Sequence, residues 1–258
     1  MVTRPAHQAG QLISLLESAG AKTFCQPLID IVPLQPEQAA TAIALIKALP
    51  KTDIIIFISQ NAITCGLKLI SQHGHLPSSV KLATVGAGSA KLLEELTQRS
   101  VDITPSKQFN SEGLLEQPEL QQVQGKRIAI FRGIGGRNFL ADTLRQRGAT
   151  VEYAEVYQRQ APTIDLIELE KKWQQQAVDA ICITSGEGLH NLVDQLNPSS
   201  DSASHSTALR DAIFDCQLII VNERLQKQIK DYGFRKKPII TDNVSDKAIV
   251  DAIISTFT

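Results

Sequence analysis

Arginines, hydroxyls and a pair of tyrosines hold the chemistry this chain has to offer. Arg4 lies in Thr3-Arg4-Pro5, while Arg132 and Arg137 bracket the run Arg132-Gly133-Ile134-Gly135-Gly136-Arg137. A guanidinium suits a carboxylate or phosphate because its planar fork can donate two parallel hydrogen bonds. Hydroxyls and glycines recur in Ser59-Gln60-Asn61, Gly86-Ala87-Gly88-Ser89 and Thr184-Ser185-Gly186-Glu187-Gly188. Residues of this kind offer hydrogen bonds and let backbone N–H groups come close to an anion. Proton chemistry falls to tyrosine, of which the chain has 3. Tyr232 precedes Gly233 and reads as a packing residue; Tyr153 and Tyr157 share the run Val151–Gln160. A spacing of four places these two on the same side of a strand, with Tyr157 at its end, before Pro162. From pattern alone a strand tyrosine is read first as structural.

Other chemistries find little support. Gly86-Ala87-Gly88 lacks the third glycine of a dinucleotide fingerprint, since Lys91 stands in its place. The Arg132–Arg137 run lacks the terminal Gly-Lys-Ser/Thr of a P-loop. Its glycines suit either anion approach or a tight strand-to-helix turn. His7, His73, His75, His190 and His205 are scattered, with no metal-ligand spacing, and neither a Ser/His/Asp order nor a G-x-S-x-G elbow appears. Cys25, Cys65, Cys182 and Cys216 form no C-x-x-C pair, so reduced, buried thiols are expected. With 26 Lys+Arg against 27 Asp+Glu the formal net charge is -1, which argues against a nucleic-acid binder. No apolar run approaches the roughly 20 residues of a membrane span. The opening residues lack the apolar core of a signal peptide. A cytoplasmic, metal-free protein is expected.

These segments need a scaffold. A length of 258 residues, 43% apolar, allows one large domain or two small ones. Strand-like runs are Lys22–Pro27, Ile54–Ile58, Leu82–Val85, Arg127–Phe131, Val151–Tyr157, Ala180–Thr184, Leu218–Val221 and Ile239–Thr241. Amphipathic stretches between them include Ala9–Ala19, Pro36–Leu49, Ser89–Gln98, Arg137–Arg147 and Asp246–Ile254. The alternation predicts parallel sheets covered by helices, an α/β fold. In such sheets ligands bind beyond the carboxyl ends of the strands, where every segment named above falls. Helix capping alone accounts for any one of Ser59, Ser89 and Ser185. It does not account for three arginines at strand ends.

The chain also repeats itself. Arg4 and Gly20 match Arg132 and Gly148 at one offset (132 − 4 = 148 − 20 = 128). Asp53–Ser59 matches Asp179–Ser185 at 126, and Ala83–Val85 matches Ile219–Val221 at 136. Ile103-Thr104-Pro105 before Ser111 parallels Ile240-Thr241-Asp242 before Ser245. The polar, Ser-rich stretch 197–207 supplies the extra ten residues and reads as an exposed loop. One unit of about 125 residues used twice explains these pairs.

Taken together, the opening Val2–Pro5, Phe57–Ala62, Val85-Gly86 with Ser89-Ala90, Arg132–Arg137, Val156–Arg159 and Ile183–Ser185 make the chain resemble the uroporphyrinogen-III synthase family. The pieces run the whole length, and their order and spacing make the match. The resemblance implies two similar parallel-sheet α/β domains joined by a two-stranded linker, with a cleft between them. Residues 1–33 plus 161–258 would form one domain and 34–160 the other, with crossover segments near 29–34 and 156–162. It implies a cofactor-free, monomeric enzyme of tetrapyrrole (haem) biosynthesis. Such an enzyme cyclises hydroxymethylbilane to uroporphyrinogen III with loss of water and inversion of ring D. Tyr157 falls on the family's candidate catalytic tyrosine. The substrate-binding set is Arg4, Ser59, Gly86, Ser89, Arg132, Gly133, Arg137, Thr184 and Ser185. Two departures stand out: Ile58 precedes Ser59 where the family often has Thr, and Asn222-Glu223-Arg224 replaces a Gly-x-Thr-type turn. The alternative from another class is a two-domain α/β protein binding an anionic small molecule in such a cleft. A third possibility is a nucleotide-dependent enzyme using the Gly86 turn. Product analysis after incubation with hydroxymethylbilane separates all three.

Overall fold

Ile54-Ile55-Ile56-Phe57 has no polar member, and all four side chains are buried. A strand apolar on both faces fits the interior of a parallel sheet covered on both sides. The computed structural model describes residues 1–197 and 206–257 and places this run as β2 (Ile54–Phe57) in a five-stranded sheet. The order is β1-β5-β4-β2-β3, where β1 is Asp30–Pro33, β3 Lys81–Thr84, β4 Arg127–Gly133 and β5 Thr150–Gln160. β2 pairs in parallel with β3 and β4, and β4 with β5. A parallel bridge from Ala83 to Ile103 continues the sheet beyond β3.

A second sheet holds β6 (Ala180–Ile183), β7 (Gln217–Ile220) and β8 (Ile239–Ile240), again parallel. Val2 bridges both Cys25 and Cys182, which extends the order to Cys25, Val2, β6, β7, β8. The first sheet reads in the same sense as β5, β4, β2, β3, Ile103. Arg4 therefore follows the second position in its sheet, and Arg132 lies near the end of the second position in the other.

The chain divides into two compact units, Ile31–Arg159 around the five-stranded sheet and Met1–Asp30 with Gln160–Thr258 around the other. In the middle unit, Leu45, Ala62 and Ile63 from α2 (Ala40–Ala48) and α3 (Gln60–His73) pack with Phe57 and Phe131 on one face of the sheet. Leu93 of α4 (Ala87–Thr97) joins them. On the other face Leu114, Leu120 and Leu144 from α5 (Ser111–Leu115), α6 (Pro118–Gln121) and α7 (Phe139–Gln146) meet Ile56 and Ile130. The other unit is built the same way. Leu12 of α1 (Ala6–Ser18) and Ile249 of α12 (Asp246–Phe257) cover Val2 and Ile219. Helices α8 (Leu166–Gln176), α9 (Gly186–Leu196), α10 (Ser206–Phe214) and α11 (Leu225–Tyr232) cover Ile181, Leu218 and Ile220.

Three expectations need correction. Lys22–Pro27 is not a full strand: Val2 N donates to Phe24 O, Gln26 N to Val2 O and Leu28 N to Thr3 O, yet only Cys25 forms a bridge, because the partner segment ends at Pro5, where α1 begins. The helix expected over Pro36–Leu49 begins only at Ala40; Leu49–Lys51 is a 3₁₀ turn with Pro50 inside it. Of the Ser-rich stretch, residues 198–205 lie outside the described residues, while Ser206 and Thr207 open α10 rather than belong to a loop.

Candidate active site

At the carboxyl edge of the middle sheet, Ser59 follows β2 and caps α3, its Oγ accepting from Ala62 N at 3.1 Å. Gln60, the first residue of that helix, donates from Nε2 to Gly88 O at 3.2 Å, which ties the α3 start to the turn after β3. Gly86 is the N-cap of α4. Ser89 is therefore not a cap, as capping alone would have required, but a buried hydroxyl in the first turn of that helix. The exposed Phe109 lies beside this turn, its Cβ 3.7 Å from where a Gly86 Cβ would stand.

Arg132 is not free at its strand end. The residue is 4% exposed, because it lies within β4 and points to the α7 face, like Ile130 two residues earlier. Its guanidinium stacks 4.6 Å from the centre of the Tyr153 ring. Nε donates to Gly133 O at 3.2 Å and Nη1 to Asn138 Oδ1 at 3.4 Å. Tyr153 Oη shares the Asn138 oxygen at 3.3 Å. The glycine run closes over this cation: Gly136 has φ +93, and a Cβ there would come within 2.8 Å of Nη2. Arg137 stands at the surface, its side chain 70% exposed, with Nη1 2.9 Å from Glu112 Oε1.

The two tyrosines also part company. Opposite β4, Glu155 pairs with Arg132 but Tyr157 pairs with Gly133, so one extra β5 residue intervenes. Such a bulge breaks the period-two alternation and re-aims the side chain after it. Tyr153 lies on the α7 face with Ile130, whereas Tyr157 packs with Phe57, Ala154 and Val156 on the α3 face. The expectation that both share one side fails for this reason. Tyr157 is buried, and its Oη lies 3.3 Å from Ser59 Oγ.

In the other unit, Ser185 follows β6 and Thr184 and caps α9 by accepting from Gly188 N at 3.0 Å. Gln228 Nε2 of α11 donates to Gly186 O at 2.9 Å. Arg4 is held by Asp246, the first residue of α12, in a mostly buried ion pair. In the turn after β7, Asn222 Oδ1 accepts from Arg224 N at 2.8 Å. Among the described residues no group of three His, Cys, Asp or Glu is placed to hold a metal ion, and no helix is long and apolar enough to cross a membrane.

A family model described as uroporphyrinogen-III synthase HemD matches residues 10–251. The uroporphyrinogen-III synthase of Escherichia coli is 32% identical over 98% of both chains. This chain belongs to the uroporphyrinogen-III synthase family. The Salmonella typhimurium synthase is 29% identical, again over 98% of both chains. Among solved structures, the Thermus thermophilus synthase in one crystal form matches with TM-score 0.59 at 16% identity, over 98% of this chain and 96% of that one. The Helicobacter pylori enzyme matches with TM-score 0.59 at 13% identity, over 92% and 94%. At these identities the structural likeness bears on the fold alone.

Within this chain the middle unit gathers Ser59, Gly133 and Tyr157 at one place, with Gln60, next to Ser59, bonded to Gly88 in the turn that Gly86 caps. Thr184 and Ser185 lie at the corresponding edge of the other unit. Sequence reasoning missed Asn138 and Asp246, and held Gln60 only as part of the Ser59–Asn61 run. The repeat held one usable signal: Asp246 follows Ser245 as Glu112 follows Ser111, and both acids pair with an arginine of the expected substrate-binding set.

Proposed function

We propose that this chain cyclises hydroxymethylbilane to uroporphyrinogen III, losing water and inverting ring D. The E. coli synthase, 32% identical across 98% of each chain, carries this reading. Loss of the hydroxymethyl oxygen as water needs a hydrogen-bond or proton donor and leaves an electrophilic azafulvene. Ring D must then attack through its substituted carbon, by way of a spiro intermediate, or the bilane closes to the uninverted isomer. Most of the work is positioning, with general-acid help at the departing oxygen.

Tyr157 is the proposed donor, its hydroxyl beside Ser59 at the start of α3. The carboxylate arms are proposed to meet Arg137, which is exposed and held lightly by Glu112, and the backbone N–H groups opening α3 and α4. Arg132 serves from beneath, as a buried cation whose field adds to that of the edge above it. The proposal extends to a monomeric, cofactor-free enzyme of the cytoplasm; its four free thiols fit a reducing compartment. Incubation with hydroxymethylbilane and analysis of the product isomers tests the activity. The inverted isomer in excess over the uncatalysed reaction is the expected result, and only the uninverted isomer would refute it.

A further inference from the structure

Gly133 was expected to open room for a ligand, yet what approaches it is Tyr157. A Cβ at Gly133 would lie 2.6 Å from Cε2, 2.7 Å from Cζ and 3.1 Å from Cδ2 of that ring. Its φ lies outside the left-handed region, so any residue could adopt this backbone, and the ring alone excludes a side chain. Both residues belong to the irregular end of the β4–β5 ladder, where the extra residue on β5 brings Tyr157 opposite Gly133. Ile134 N donates to Tyr157 O at 2.8 Å, so the backbones stay joined beyond the bulge. The ring thus lies flush against bare backbone, and its hydroxyl ends 3.3 Å from Ser59 Oγ. That oxygen already accepts from Ala62 N. When the Ser59 hydroxyl donates to Tyr157 Oη, the phenol's own proton is left for a substrate.

We propose that Gly133 and Ser59 form a seat for Tyr157. Gly133 is a positioning residue that admits the ring, and Ser59 a positioning residue that fixes the hydroxyl, each acting on turnover through that phenol. The inference rests on Tyr157 being the proton donor proposed above. It explains why the β5 alternation is broken at Val156 and Tyr157. Without the extra residue Tyr157 would face α7, on the side of Tyr153 and away from Ser59.

A kinetic double-mutant cycle tests the seat. Gly133→Ala, Tyr157→Phe and the double variant are assayed with hydroxymethylbilane, each with a thermal melt. Displacing a donor by about an ångström costs about 10²-fold, so Gly133→Ala is expected to lower kcat by that order with KM little changed. In the Tyr157→Phe background the same substitution should change the rate by less than about twofold, because the group it misplaces is gone. Multiplicative losses, or a wild-type rate for Gly133→Ala beside a slow Tyr157→Phe, would overturn the seat and leave the Tyr157 reading standing. A wild-type rate for Tyr157→Phe overturns both.

Ring-labelled tyrosine offers a readout independent of activity, since the chain has only 3 tyrosines. Gly133→Ala should shift the Tyr157 resonance and leave that of Tyr232 in place; an unmoved Tyr157 signal counts against the seat. If Gly133→Ala yields no folded protein, the cycle of Ser59→Ala with Tyr157→Phe decides by the same criterion. Non-additive losses support the seat, and multiplicative ones overturn it.

Discussion

Arg132 and Arg137 flank one glycine run, yet their surroundings assign them opposite tasks. Arg132 is enclosed by Tyr153, Gly133 and Asn138, so Arg132→Ala strips a packed side chain from the α7 face. It should cost about 1–3 kcal/mol in urea unfolding. Arg137→Ala removes an exposed ion pair, should leave stability within about 0.5 kcal/mol, and should raise KM. A stable, low-affinity Arg132→Ala protein would reverse these roles. Tyr157→Phe is expected to lower kcat by about 10²–10⁴-fold while the inverted isomer persists. Tyr153→Phe loses only a 3.3 Å bond to Asn138 on the opposite face and should keep near-normal turnover. Equal losses in the two variants would point to the strand rather than the phenol. Cys216 makes a separate prediction. Burial pushes its thiol from 9.0 up to about 11. The folded protein favours the neutral thiol, so this contribution to stability is whole below about pH 9 and is lost as pH rises towards about 11. The stability cost of Cys216→Ala, measured by urea unfolding, should therefore be smaller near pH 11 than near pH 8. A cost independent of pH would refute the assignment.

At the scale of elements, the strand-end serines separate into two kinds. Ser59 and Ser185 each satisfy an N–H in the first turn of the following helix, while Ser89 sits inside α4 with Gly86 as cap. Removing the Ser185 cap should cost about 1 kcal/mol, and Ser185→Asp, also a good cap, should restore it. If Ser185→Asp is as stable as the parent but binds a polyanionic bilane more weakly, the hydroxyl edge takes part in binding as well as capping. Equal KM values would leave it a cap alone. The starts of α3 and α9 were readable from their capping serines, and α1, α4, α7 and α12 from apolar spacing. The β5 bulge was not, because a strand read from sequence is assumed to alternate without interruption. The extra residue shows only against the β4 partner to which it is unmatched.

At the scale of the molecule, the middle unit is one continuous segment, Ile31–Arg159, and the other is assembled from two. Each has apolar clusters on both faces of its own sheet. The ends of the continuous unit lie on neighbouring strands, β1 and β5, so a fragment of residues 31–159 should fold by itself. Cooperative unfolding of that fragment is the expected result, and a fragment lacking stable structure would argue that its core needs the rest of the chain. The landmarks follow the same order in the two sheets.

What the sequence determined by itself was whatever rests on local pattern. Ile54–Phe57 announces a strand buried on both faces, Ser59 and Ser185 announce helix starts, and the ordered short pieces point to the family. The tertiary structure alone decided the rest, because those facts depend on partners far along the chain. Val2 becomes a strand position only between Cys25 and Cys182. Arg4 loses its free charge to a carboxylate 242 residues away. Arg132 becomes a buried cation only when Tyr153 and the glycine run close over it. Tyr157 reaches Ser59 only through a bulge that pairing with β4 creates. Burial, charge pairing and register are properties of pairs of segments, and a single stretch of residues carries only half of each.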